Sequence, residues 1–120
     1  MKTSIIAEKS FAFSEAVVET YKKLIFDRKE YVLSKQFLRS GTSIGANVSE
    51  AMFGQSKKDF ASKLSIARKE ANETIYWIRL MQRTGFIENE TTAVLKSQCE
   101  EILRLLTAII KTVEINSRNS

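Results

Sequence analysis

Apolar residues recur every three or four positions through most of this 120-residue chain, and three polar stretches break the rhythm. The breaks are "FDRKEY" (26–31), "FGQSKKD" (53–59) and "TGFIENET" (84–91). Between them each segment fits a helical period of about 100° per residue. Ile6, Phe13, Val17, Tyr21 and Leu24 share one face of the first segment, and Leu33, Phe37, Gly41, Ile44, Val48 and Met52 one face of the second. Phe60, Leu64, Ala67, Ala71, Ile75 and Ile78 line the third, and Leu95, Cys99, Ile102, Leu106, Ile109 and Val113 the fourth. The pattern predicts an all-α protein, one domain over residues 1–120, with helices at roughly 4–27, 31–53, 57–84 and 89–116. Long helices joined by short connections favour an antiparallel up-down-up-down four-helix bundle.

The punctuation agrees with the period. Ser56 followed by Asp59 reads as a helix start, a hydroxyl for a first-turn amide and an acid at the positive end of the helix dipole. Asn89 is expected to cap the last helix in the same way, and Gly85 to stop the third. Proline is absent and glycine occurs only four times, too little turn punctuation for a sheet-rich fold.

Composition narrows the chemistry. There is no histidine and one cysteine, Cys99. Imidazole-activated nucleophiles, imidazole metal ligands, internal disulfides and Cys-rich zinc sites are thereby excluded. No enzymatic activity, metal or cofactor is expected. The lone cysteine and the lack of a leader pattern point to the cytoplasm. No apolar run approaches the roughly 18 residues of a membrane span.

The stretch "RSGTSIGANVSEA" (39–51) has three readings. A phosphate loop needs a preceding strand, wider glycine spacing and a lysine. A membrane dimerisation face needs an apolar setting that Arg39, Asn47 and Glu50 deny it. A helix packed closely through Gly41 and Gly45 remains, with Phe60 or Trp77 as the expected bulk against it. Each glycine costs about 1 kcal/mol relative to alanine in a helix, so two within one turn imply a close neighbour.

Beside that stripe, Gln36, Ser40, Ser43, Asn47 and Glu50 form a polar ribbon, and on the third helix Ile66, Glu70, Glu73, Trp77 and Leu80 share an arc. A carboxylate at Glu73 among apolar neighbours requires a partner; Arg39, Asn47 or another subunit could supply it. Arg39, Asn47, Glu50 and Glu73 are therefore expected to form a polar network that fixes helix or subunit register. The competing reading, Glu50 and Glu73 as an acid–base pair, lacks an accompanying nucleophile or metal set.

The net charge of +5 is concentrated on residues 57–85, where seven bases face three acids. Lys58, Arg68, Lys69, Arg79 and Arg83 fall within an arc of roughly 100° on the third helix, with Tyr76, Ser65 and Asn72 between them. This row could track a phosphate backbone. No run of aromatics or Arg-Gly tract accompanies it, so low sequence specificity is expected.

"RSGTSIGANVSEA" and "SKKDFASKLSIARKEANETIYWIRL" (56–80) closely resemble the four-helix-bundle family named for the 23S rRNA intervening sequence. The likeness runs from "SFAF" (10–13) through "TGFI" (84–87) into the last helix. Another branch of that family has Pro at the position of Gly45 and Gly at that of Ala51, so roles tied to those residues do not carry over. The resemblance implies an antiparallel bundle assembled into a homopentameric ring, as also in the related accessory variability determinant of diversity-generating retroelements. It further implies RNA binding as the usual suggestion for the family. A head-to-tail ring joins two different patches; Phe11, Val18 and Ile25 on the first helix and Ile66, Trp77 and Leu80 on the third are the expected pair. The expected partners are further copies of the chain, RNA or DNA, or another protein, and not a membrane. Two functions follow: an oligomer that binds nucleic acid, or an oligomeric protein–protein scaffold without it.

Overall fold

The computed structural model describes residues 2–118. These form four helices and, among the described residues, no strand: α1 (Lys2–Phe26), α2 (Leu33–Met52), α3 (Lys57–Arg83) and α4 (Asn89–Arg118). They lie side by side in a body of 52 × 21 × 21 Å. α2 packs against α1 and α3, α3 also against α4, and α4 closes back on α1, while the diagonal pairs do not meet.

The core follows the helical stripes. Phe13, Val17 and Leu24 of α1, Phe37, Ile44 and Val48 of α2, Leu64, Ala71 and Ile78 of α3, and Leu95, Ile102 and Leu106 of α4 are all buried. Each of the larger side chains contributes about 1.5–3 kcal/mol by leaving water. Tyr21, Leu33, Phe60, Ile75 and Val113 sit at the margin, half-buried. Met52, where α2 ends, is exposed.

The two helix glycines mark the crossing of α2 with α1. A methyl built on Gly41 would lie 2.7 Å from Val17 Cγ2 and 2.9 Å from Val17 Cγ1. One on Gly45 would lie 3.0 Å from Ser14 Oγ and 3.1 Å from the Ser10 carbonyl oxygen. The close neighbour is therefore α1, and not Phe60 or Trp77 of α3 as the sequence led us to expect. Small polar residues on α1 make room for the backbone of α2, a pairing that neither segment reveals alone.

Each connection is closed by a specific device. The chain leaves α1 through Lys29 at φ 55°. The buried carboxylate of Glu30 then takes the place of a hydroxyl cap: Oε1 accepts from the amides of Val32 (3.0 Å) and Leu33 (2.8 Å), and Oε2 from that of Ser34 (2.7 Å). These bonds hold residues 31 and 32 outside the helix, so α2 starts at Leu33 rather than at residue 31. At the start of α3, Ser56 accepts from the Asp59 amide at 3.1 Å. α3 ends in a Schellman motif around Gly85 at φ 84°. In it the amides of Phe86 and Gly85 donate to the carbonyls of Met81 (2.8 Å) and Gln82 (3.1 Å). Asn89 does not cap α4: its side-chain oxygen accepts from Gln82 Nε2 at 2.8 Å. The first-turn amide of Thr92 goes instead to the Glu88 carbonyl at 2.9 Å.

Candidate functional site

The outer seam between α2 and α3 holds the only carboxylates of α3 beyond its first turn. Arg39, on α2, reaches across it with both guanidinium nitrogens. Nη1 donates to Glu70 Oε2 at 3.0 Å and Nη2 to Glu73 Oε1. Trp77 Nε1 donates to the same Glu73 oxygen at 3.4 Å. The hydrogen bond from Arg39 outweighs burial and holds the Glu73 carboxyl below its ordinary range, and the same bond raises the Arg39 guanidinium. The next residue of each helix turns inward, and the buried hydroxyls of Ser40 and Thr74 meet at 3.0 Å.

The polar network expected from sequence divides here. Arg39 and Glu73 come together, but Asn47 and Glu50 do not join them. Asn47 donates to the Ser43 carbonyl of its own helix at 2.8 Å. Glu50 pairs with Lys63 at 3.0 Å, at the opposite end of the seam. A carbonyl four residues back is always within reach of a helical Asn, and Lys63 stands closer to Glu50 than any group near Glu73 can. Glu70, the more deeply buried of the two carboxylates, is the member that the sequence-based network lacks; its burial beside the core stripe was the available clue. One arginine of α2 thus ties both carboxylates of α3 across the seam.

The exposed face of α3 beside this cluster carries the cations. Lys58, Lys69, Arg79 and Arg83 are exposed, whereas Arg68 is half-buried where α3 meets α4. Among the described residues, none of the five lies within 4.0 Å of a carboxylate oxygen. Arg68 shares a groove of about 490 Å³ with Asn72, Leu103, Arg104, Thr107 and Lys111. It shares the next groove along with Lys111, Glu114 and Arg118. Arg104, Lys111 and Arg118 are spaced seven apart and so repeat on one face of α4. Sequence reasoning passed over them because the segment's net charge averages that face with the acids around it; the heptad spacing was the readable sign.

The apolar stripe of α1 lies on the helix diagonal to α3, and that of α3 runs alongside the Arg39 cluster, where Trp77 meets Glu73. Phe11 is 68% exposed and Ile66 40% exposed. Val18, Ile25, Trp77 and Leu80 are half-buried. Cys99 is buried in the core and donates to the Ala71 carbonyl at 3.3 Å, and burial pushes its thiol up to about 12. Among the described residues, no three His, Cys, Asp or Glu side chains converge to hold a metal ion, and no helix is long and apolar enough to cross a membrane.

Fold and surfaces together define a small all-α four-helix protein with an ion-paired seam between α2 and α3 and a cationic face on α3 and α4. The chain belongs to the family of 23S rRNA-intervening sequence proteins, whose model matches residues 2–108. It is similar to a crystal structure of a protein of unknown function from the S23 ribosomal protein family of Bacteroides thetaiotaomicron. The two are 50% identical with a TM-score of 0.91, over 92% of this chain and 99% of that one. No match was found among curated proteins.

Proposed function

We propose that the chain is a non-enzymatic, oligomeric bundle protein that binds the phosphate backbone of RNA or other nucleic acid, with low sequence specificity. The observation that carries this reading is a cationic flank that is free of ion pairs among the described residues: Lys58, Lys69, Arg79 and Arg83 on the open face of α3, and Arg68 beside Arg104, Lys111 and Arg118 of α4. Unpaired cations are free to displace the counterions of a nucleic acid, which is the sequence-independent part of such binding.

The bundle is antiparallel in this proposal, and it assembles head to tail into a pentameric ring. The stripe of Phe11, Val18 and Ile25 meets that of Ile66, Trp77 and Leu80 on the next copy. Support comes from the exposure of Phe11 and Ile66 on different flanks, as a heterologous interface requires. Five copies of a weak cationic face would then act together by avidity.

Binding of a labelled RNA across a salt series tests the reading. The affinity should fall steeply with salt, and Arg79→Glu with Arg83→Glu should abolish binding while light scattering shows an unchanged assembly. A flat salt response, or unchanged affinity in that double variant, refutes nucleic-acid binding. The exposed Phe11 and Ile66 would then favour the second reading, a protein–protein scaffold.

A further inference from the structure

We infer that Tyr76 is a base-stacking platform, so that the basic flank selects single-stranded over double-stranded nucleic acid. The inference rests on the backbone-binding reading above and adds the form of the ligand.

Tyr76 is 57% exposed, an aromatic ring among the cations and the polar Ser65 and Asn72 of that arc. It lies inside the cationic arc and lines a shallow recess with Arg79, Leu80 and Arg83. Arg79 and Arg83 follow it by about one and two helical turns, with roughly 6 Å of axial rise between them. A strand whose base rests on the ring would therefore have cations on hand for its neighbouring phosphates.

The ring is also held in place. Its centroid is 5.0 Å from that of Trp77, with the planes at 79°. Rings at this angle meet edge to face, so Trp77 covers at most one face of Tyr76. Trp77 in turn donates to Glu73, and Arg39 clamps Glu73 from α2. The α2–α3 cluster thus positions a ring that projects towards solvent on the cationic side.

A duplex keeps its bases stacked inside and offers this ring only sugar and phosphate. A single strand offers open base faces, and stacking on an aromatic side chain is tolerant of sequence because every base has such a face.

The test uses the full chain and a labelled single-stranded RNA, measured alone and annealed to its complement at matched salt. The single strand should bind about tenfold more tightly than the duplex. Tyr76→Ala should weaken single-strand binding by about fivefold or more, leave duplex binding unmoved and so erase the preference. Tyr76→Phe, which keeps the ring, should behave as the unmodified protein, and Tyr76→Leu, which keeps bulk without a π face, should behave as the alanine variant. Equal binding of strand and duplex by the unmodified protein overturns the inference. So does an unaltered preference in Tyr76→Ala; if Arg79→Glu with Arg83→Glu still abolishes binding, the backbone reading survives that result. If neither RNA form binds at all, both readings fall.

Discussion

Gly41→Ala sets two effects of similar size against each other, and the structure decides which wins. An alanine in mid-helix is favoured over glycine by about 1 kcal/mol, so at an open position the change would stabilise. At this one the new methyl would stand 2.7 and 2.9 Å from the two Val17 methyls, against a comfortable carbon–carbon separation of about 3.5–4.0 Å. Val17 cannot swing aside, because it is fully buried and a β-branched residue in a helix has one strongly preferred rotamer. α1 and α2 must separate instead. Overpacking of this kind costs about 1–3 kcal/mol. Set against the helix gain, this leaves a net loss of up to about 2 kcal/mol, with Tm falling by about 4 °C for each kcal/mol lost. Denaturant unfolding at fixed protein concentration measures it as a lower midpoint with unchanged slope. The double variant Val17→Ala with Gly41→Ala supplies the internal control. Val17→Ala alone should cost about 2 kcal/mol for two lost methyls and the void they leave. The alanine at 41 would then fill part of that void, so the pair should be more stable than the sum of the single changes by at least about 1 kcal/mol. If Gly41→Ala alone proves stabilising, as it would at an open helical position, the close-packing account of this helix is wrong.

Glu30 gives a pH prediction. Burial pushes its carboxyl up, but hydrogen bonds from the Ser34, Leu33 and Val32 amides outweigh that and hold it below the ordinary carboxylate range. Its stabilisation is therefore fully present above the unfolded-state value, near 4.3, and is lost as pH falls through the lower folded value. Glu30→Ala should cost about 2 kcal/mol at neutral pH and flatten that acid limb of a stability–pH profile; an unchanged limb would show that the cap contributes nothing. Cys99, buried with its thiol pushed up to about 12, should resist alkylation in the native protein and react only as the protein opens. A labelling rate that does not slow as stability is raised would contradict that placement.

How much could be read in advance differs by feature. The Ser56 cap and the Gly85 stop were legible because they are local: a side chain satisfies amides three residues away, and a left-handed φ suits glycine. Asn89 looked equally local, yet Gln82, on the far side of a turn, captured its side-chain oxygen. Glu30 was unreadable as a cap because glutamate is not among the residues favoured there, and only the bend through Lys29 folds its carboxylate back onto the amides. Arg39 with Glu73 was among the pairings open to sequence, whereas Asn47 and Glu50 turned to nearer partners.

By itself the sequence determined the four helices, the faces they bury and the concentration of charge on α3, because periodicity and capping act over one or two turns of a single element. Tertiary structure alone decided that Val17 and Ser10 are what the glycines of α2 approach. It also decided that Glu70 shares the arginine of Glu73, and that cations of α4 extend the flank begun by Arg68. Those facts depend on the rotation and register of one helix against another, and these are set by packing across the whole core rather than by any segment within it.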